Sequence, residues 1–169
     1  PHRLETTNHQ AADVLELNRV FVDSEKNVWF ANLRDVNRIN FKYHQFHCQR
    51  LPQRDEIRSV MTDRQQRTWV GTNNGCLLVY DAAYHLLGYV TPRGDIVSQY
   101  TKFSQRIYAL HQDRKGRIWI GSKGDGLFII DERGHLSRYC ADASEPYALS
   151  HDEVYDIKAD VWGRIWIAT

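Results

Sequence analysis

Cysteine is scarce in this chain and does not pair. Cys48, Cys76 and Cys140 are an odd set with no paired spacing, so no disulfide framework is implied. All three are expected to pack as small hydrophobes. No apolar run approaches the ~20 residues of a membrane span. Charge of one sign is missing too: 22 Lys and Arg stand against 21 Asp and Glu, a formal net charge of +1. A sequence-blind binder of nucleic acid or of an anionic membrane surface needs a basic excess, so neither partner is expected for this segment. The N-terminal Pro1-His2-Arg3-Leu4 has no apolar core, and no signal peptide is expected there. No Pro-, Gly- or Ser-rich linker divides the chain. Catalytic signatures are also absent: there is no Gly-x-Ser-x-Gly elbow, no His-Glu-x-x-His and no phosphate loop. No catalytic residue, metal or cofactor is expected. His44-x-x-His47-Cys48 has a metal-like spacing, but no second ligand cluster accompanies it, and a polar outer strand carrying two His explains it.

One short phrase is present four times. It runs from Asp23 to Trp29, Asp63 to Trp69, Asp113 to Trp119 and Asp160 to Trp166, with the Trp always six residues after the Asp. The Trp advances by 40, 50 and 47 residues from copy to copy. Self-similarity at that period signals a repeat architecture. Flanking columns keep register. Aliphatic residues precede the Asp by six (Leu17, Ile57, Ile107, Val154) and by three (Val20, Val60, Leu110, Ile157). Phe30, Val70, Ile120 or Ile167 follows the Trp. A small residue comes next (Ala31, Gly71, Gly121, Ala168), then a short polar one (Asn32, Thr72, Ser122, Thr169).

Each column has a physical reading. Ile107 to Gln112 and Arg117 to Ser122 are rich in β-branched and aromatic residues and are expected to be strands. Asp113-Arg114-Lys115-Gly116 between them is turn chemistry: Asp bonds the backbone ahead of it and Gly accepts positive φ. The fourth copy keeps that Gly as Gly163, whereas the first two carry Lys26 and Gln66. The small residue after the Trp implies close approach by a neighbouring sheet, which a larger side chain would overpack. A loop at Lys123–Gly126, a third strand at Leu127–Asp131, a turn at Glu132–Gly134 and a fourth strand near His135–Cys140 complete the third unit. The second repeats it with Asn73-Asn74-Gly75, Cys76–Asp81 and Leu86–Val90. In the first, Arg38–Tyr43 and Gln45–Cys48 supply the outer strands.

Four antiparallel strands in a unit of about 40–50 residues make a β-propeller blade. The expected fold is all-β: a partial β-propeller of about three complete four-stranded antiparallel blades plus partial blades at both ends. The chain, 1–169, is expected to be one propeller fragment with units at approximately 14–53, 54–103, 104–150 and 151–169, the last incomplete. Residues 1–13 align with the last strand and linker of a blade. The expectation is a piece of a longer repeat protein whose unpaired strand edges invite pairing with another chain, a homodimer included.

The pattern aliphatic-x-x-aliphatic-x-x-Asp-x-x-Gly-x-aliphatic-Trp-aliphatic-Gly-Thr, followed by Gly-Leu and an outer Asp, resembles the two-component regulator propeller repeat. Ile107, Leu110, Asp113, Gly116, Ile118-Trp119-Ile120-Gly121-Ser122, Gly126-Leu127 and Asp131 carry the resemblance, as do Trp69-Val70-Gly71-Thr72 and Gly75-Cys76-Leu77. It implies the extracytoplasmic (periplasmic or extracellular) sensor region of a hybrid two-component histidine kinase and response regulator. It also implies an oligosaccharide signal, and a membrane reached only through parts of the parent outside this chain. On that reading the segment is non-catalytic.

The four Asp and four Trp recur once per unit, so a turn role and blade packing account for them. Ligand contacts belong to residues that vary between copies at one end of the ring. Just inside the start of the innermost strand lie Asn18, Arg58, Tyr108 and Tyr155. The loops between second and third strands offer Asn73, Asn74, Lys123 and Asp125. Aromatic rings with Arg and amide groups suit sugar stacking and hydroxyl hydrogen bonding. Two alternatives belong to other classes. A propeller enzyme, such as a lyase related to streptogramin-inactivating enzymes, needs a convergent His/Glu/metal centre, and only His111 and Asp156 lie near inner strands. A protein-interaction scaffold like the Trp–Asp repeats needs a Trp-Asp dipeptide that no copy has.

Overall fold

The computed structural model describes residues 19–23, 27–31, 35–40 and 45–169. They form fifteen strands in four antiparallel sheets. The first sheet is β1 (Arg19–Val22), β2 (Val28–Ala31), β3 (Asp35–Asn40) and β4 (Gln45–Arg50). The second is β5 (Ile57–Thr62), β6 (Thr68–Thr72), β7 (Leu77–Tyr80), β8 (Leu86–Val90) and β9 (Ile96–Val97). The third is β10 (Ile107–Gln112), β11 (Ile118–Ser122), β12 (Leu127–Ile130) and β13 (Leu136–Tyr139). The fourth is β14 (Asp156–Ala159) paired with β15 (Ile165–Ala168). Strand order follows chain order in every sheet, the meander of a propeller blade. Two details differ from expectation. The second sheet gains a fifth strand, because Tyr89 and Val90 pair with Val97 and Ile96. The third strand of the first sheet starts at Asp35 rather than Arg38, since Asp35 to Asn37 pair across to Cys48 to Arg50. Residues 1–13 lie outside the described residues, as does His44 of the metal-like spacing.

The Asp of the phrase closes the hairpin between first and second strands. In the second sheet, Asp63 Oδ1 accepts the Arg67 backbone N–H at 2.9 Å. Its Oδ2 accepts from Trp69 Nε1 at 2.8 Å and Arg67 Nε at 2.7 Å. Asp113 and Asp160 repeat the set with Arg117 and Trp119, and with Arg164 and Trp166. One carboxylate thus fixes the turn and the Trp rotamer together. The left-handed turn position is Gly116 (φ 83) in the third sheet and Gln66 (φ 62) in the second. Neighbouring turns are tied in series: Arg64 Nη1 donates to the Arg114 carbonyl at 2.9 Å, and Arg114 Nη2 to the Val161 carbonyl at 2.6 Å.

Burial occurs between sheets. Ile57, Val70, Leu78 and Tyr89 meet Trp29 and Val36 in the first seam. Trp69, Leu77, Val79 and Val90 meet Ile107, Ile120 and Phe128 in the second. Ala109, Leu127 and Ile129 meet Val154 and Ile157 in the third. A fully buried aliphatic such as Ile107 stabilises by roughly 1.5–3 kcal/mol. Gly71 shows why the column after the Trp is small. A Cβ there would sit 2.3 Å from Ser59 Oγ and 2.5 Å from Ile107 Cγ2. Ser59 Oγ itself donates across the seam to the Ile107 carbonyl at 3.0 Å. The cysteines depart from expectation. Cys76 is buried, but Cys48 and Cys140 are exposed on outer strands or just beyond them, where a blade presents one face to solvent. Among the described residues no helix is long and apolar enough to cross a membrane.

Candidate functional site

The innermost strands β5 and β10 are each interrupted near their start. The ladder skips from Ile57 to Ser59 against β6, and from Ile107 to Ala109 against β11. Arg58 and Tyr108 are therefore the extra residues of two β-bulges, and a bulge re-aims its side chain away from the regular pleat. Tyr155 holds the same column before β14 and donates its backbone N–H to Ala168. The loops after β6 and β11 are fastened beside the bulges by one recurring bond. Asn73 N–H donates to the Glu56 carbonyl at 2.8 Å, and Lys123 N–H to the Arg106 carbonyl at 2.9 Å. The chain thus delivers the bulge column and the loop column to one end of the sheets.

There the side chains meet. The Arg58 guanidinium stands 5.3 Å from the Tyr108 ring centroid and its Nε donates to Asn73 Oδ1 at 3.3 Å. Lys123 Nζ lies 5.8 Å from the Tyr108 centroid and 5.2 Å from that of Tyr155. The two rings pack edge to face at 6.1 Å. Cation–π pairs at partly exposed positions are worth about 0.5–1 kcal/mol each, enough to order long side chains without removing them from solvent. Five of the eight expected residues, Arg58, Asn73, Tyr108, Lys123 and Tyr155, form one surface spanning three sheets.

The other three do not join it. Asn18 lies outside the described residues. Asn74 is exposed, and its backbone N–H donates to Asp55 Oδ1 at 3.3 Å. Asp125 points outward: its Oδ2 accepts from Ser104 Oγ at 2.7 Å and Gln105 N–H at 3.0 Å, and its Oδ1 meets Arg138 Nη2 at 3.4 Å. It pins a loop to the neighbouring connection. Two carboxylates were missed. Glu56 Oε1 bonds Arg58 Nη2 at 2.6 Å. Glu153 accepts the Tyr155 hydroxyl and lies 3.9 Å from Lys123 Nζ. The Tyr155 hydrogen bond, with Lys123, His151 and Arg106 nearby, holds Glu153 below the usual carboxylate range against the opposing effect of burial. Glu56, Arg106 and Glu153 share one column, two residues before the bulge residue, and that register was the available signal. The surface offers two exposed-edged rings, three cations and two engaged carboxylates. It can stack a flat apolar face and exchange hydrogen bonds with hydroxyl or acidic groups.

His111, on β10, is pushed down by burial, with Asp113, Lys158 and Asp156 as weaker influences. Among the described residues no group of three or more His, Cys, Asp or Glu could hold a metal ion.

Comparison with protein families matches residues 101–124 to the two-component regulator propeller. Comparison with curated protein sequences finds no match. Solved structures are similar throughout the chain. The extracellular domain assigned to a hybrid two component system of B. thetaiotaomicron is 18% identical with a TM-score of 0.76, covering 98% of this chain and 22% of that one. A second such domain from B. thetaiotaomicron is 15% identical with a TM-score of 0.60, covering 95% and 26%. Virginiamycin B lyase from Staphylococcus aureus is 14% identical with a TM-score of 0.65, covering 90% and 48%. The chain spans about a quarter or less of the two extracellular domains, and likeness at these identities carries the fold alone. The sequence match is confined to residues 101–124, which are similar to the two-component regulator propeller, and the likeness to solved structures gives the chain a β-propeller fold.

Proposed function

We infer that this chain is a ligand-sensing segment of an extracytoplasmic propeller in a two-component signal-transduction regulator, and that its ligand is an oligosaccharide. The segment itself is non-catalytic. One observation carries the reading: Arg58 and Tyr108 at two bulges, Lys123 in the loop after β11 and Tyr155 before β14 converge on one surface across successive sheets. The family match at residues 101–124 and the fold shared with extracellular domains assigned to hybrid two component systems support the placement. A sugar ring would lie against Tyr108 and Tyr155, with Arg58, Asn73 and Lys123 meeting its hydroxyl or acidic substituents.

Thermal-shift screening against a glycan panel tests this, because a ligand that binds only the folded state raises its melting point. Tyr108→Ala should weaken the responding glycan about five- to tenfold, the worth of one stacked ring. Unchanged binding by Arg58→Ala, Tyr108→Ala and Tyr155→Ala would remove these residues from the site.

A further inference from the structure

Donors and acceptors at the bulge end of the sheets do not balance. The carboxylates there all have donors. Glu56 Oε1 meets Arg58 Nη2 at 2.6 Å, and Glu153 Oε2 accepts the Tyr155 hydroxyl. Asp55 Oδ1 accepts the Glu56 and Asn74 backbone N–H groups at 2.8 and 3.3 Å. Asp125 Oδ2 accepts from Ser104 Oγ and Gln105 N–H at 2.7 and 3.0 Å, and Asp152 Oδ1 accepts the Ala141 N–H at 2.6 Å.

Two cations are not matched in this way. Lys123 Nζ faces Glu153 Oε2 at 3.9 Å, beyond hydrogen-bond reach, and that oxygen already serves Tyr155. Among the described residues the ammonium has no hydrogen-bond acceptor. Arg106 is exposed and makes no ion pair among the described residues, yet it is near enough to hold the Glu153 carboxyl down along with Tyr155, Lys123 and His151.

Lys123 is also held in place. Its backbone N–H donates to the Arg106 carbonyl at 2.9 Å, and its backbone bridges antiparallel to Glu153. The side chain is 28% exposed, with Nζ 5.8 Å from the Tyr108 centroid and 5.2 Å from that of Tyr155. Rings attract an ammonium but accept little hydrogen bonding from it. A cation so placed has given up part of its water without gaining an acceptor, and an anion that reaches it gains more than at an open surface. In the second sheet the same place is filled by Asn73, whose Oδ1 accepts from Arg58 at 3.3 Å.

We propose that the ligand of the bulge surface is an acidic sugar, and that Lys123 selects it by donating to a carboxylate or sulfate group on the ring beside Tyr108 and Tyr155. Arg106 reinforces the positive field. A compact ammonium takes either anion as a point charge. The inference rests on the reading of this surface as an oligosaccharide site.

Isothermal titration calorimetry on the full chain tests it with matched probes. Trigalacturonic acid is compared with its methyl ester, and a sulfated carrageenan tetrasaccharide with its desulfated form. In at least one pair the acidic member should bind about tenfold more tightly than the neutral one, the worth of one hydrogen bond to a charged group. Rising salt should erode that preference, and the responding pair tells carboxylate from sulfate. Lys123→Met keeps an apolar stem against the rings; it should abolish the preference and leave the melting point of the free protein unchanged. Lys123→Gln should show the same loss, and Lys123→Arg should retain the preference. Equal binding within both pairs, binding of neutral glycans alone, or a preference that survives in Lys123→Met and Lys123→Gln overturns the proposal while the oligosaccharide reading stands. Silence toward every glycan, acidic or neutral, removes both.

Discussion

Asp63→Asn perturbs the recurring phrase at its most buried copy. Asp63 is 3% exposed and Trp69 3%. Its Oδ2 serves two donors, Trp69 Nε1 at 2.8 Å and Arg67 Nε at 2.7 Å, while its Oδ1 serves the Arg67 backbone N–H at 2.9 Å. Asparagine keeps the shape but has one accepting atom instead of two. Whichever way the amide turns, its NH₂ faces at least one of these donors. The loss is a charge-assisted hydrogen bond plus an unsatisfied buried donor, together about 3 kcal/mol. Asp160→Asn is the control. Asp160 makes the same three bonds, but beside Trp166, which is 60% exposed, so water replaces what is lost. Urea unfolding followed by tryptophan fluorescence and circular dichroism should show a lower midpoint for Asp63→Asn at an unchanged slope, and a much smaller change for Asp160→Asn. Equal effects at the two positions, or none at Asp63, would refute the argument that the phrase acts as a buried staple.

Gly71→Ala should cost about 1–3 kcal/mol by overpacking Ser59 and Ile107; a thermal melt indistinguishable from the parent would remove the close-approach account of that column. Acid should destabilise the fold through Asp113. Burial raises this carboxyl, but the Trp119 and Arg117 hydrogen bonds outweigh that effect and leave it below the usual range. A carboxyl depressed in the folded state contributes stability above its unfolded value of about 3.9, and that contribution is lost as pH falls through the folded value. The urea midpoint should therefore drop below about pH 4, and Asp113→Asn should flatten that drop; an unaltered acid limb would contradict it. Cys48 and Cys140 should react with a thiol reagent in the native protein, while Cys76, buried and pushed up chiefly by that burial, should react only on unfolding. Three equivalents of fast labelling would contradict the packing around Cys76.

The columns of the sequence carried the fold because each had one physical cause. Asp63 and Trp69 recur together since one carboxylate holds the turn and the indole. Gly71 is small since Ile107 presses on it. The candidate surface was legible for a related reason: Arg58, Tyr108 and Tyr155 vary within a column that lies beside the packing column of Ile57, Ile107 and Val154. What escaped was direction. Spacing alone does not reveal that Arg58 and Tyr108 are bulge residues, nor that Asp125 turns outward to Ser104 and Arg138. Cys48 and Cys140 looked like core residues because cysteine usually is buried, whereas outer strands leave one face wet.

The central claim is that the bulge column and its neighbouring loops form the ligand surface. Fluorine NMR of the protein carrying 3-fluorotyrosine tests it most directly, with each resonance assigned by Tyr→Phe substitution. Titration with a glycan that raises the melting point should shift the Tyr108 and Tyr155 resonances and leave the exposed Tyr139 and Tyr147 in place. Glycan binding that moves other tyrosines while Tyr108 and Tyr155 stay fixed would contradict the account.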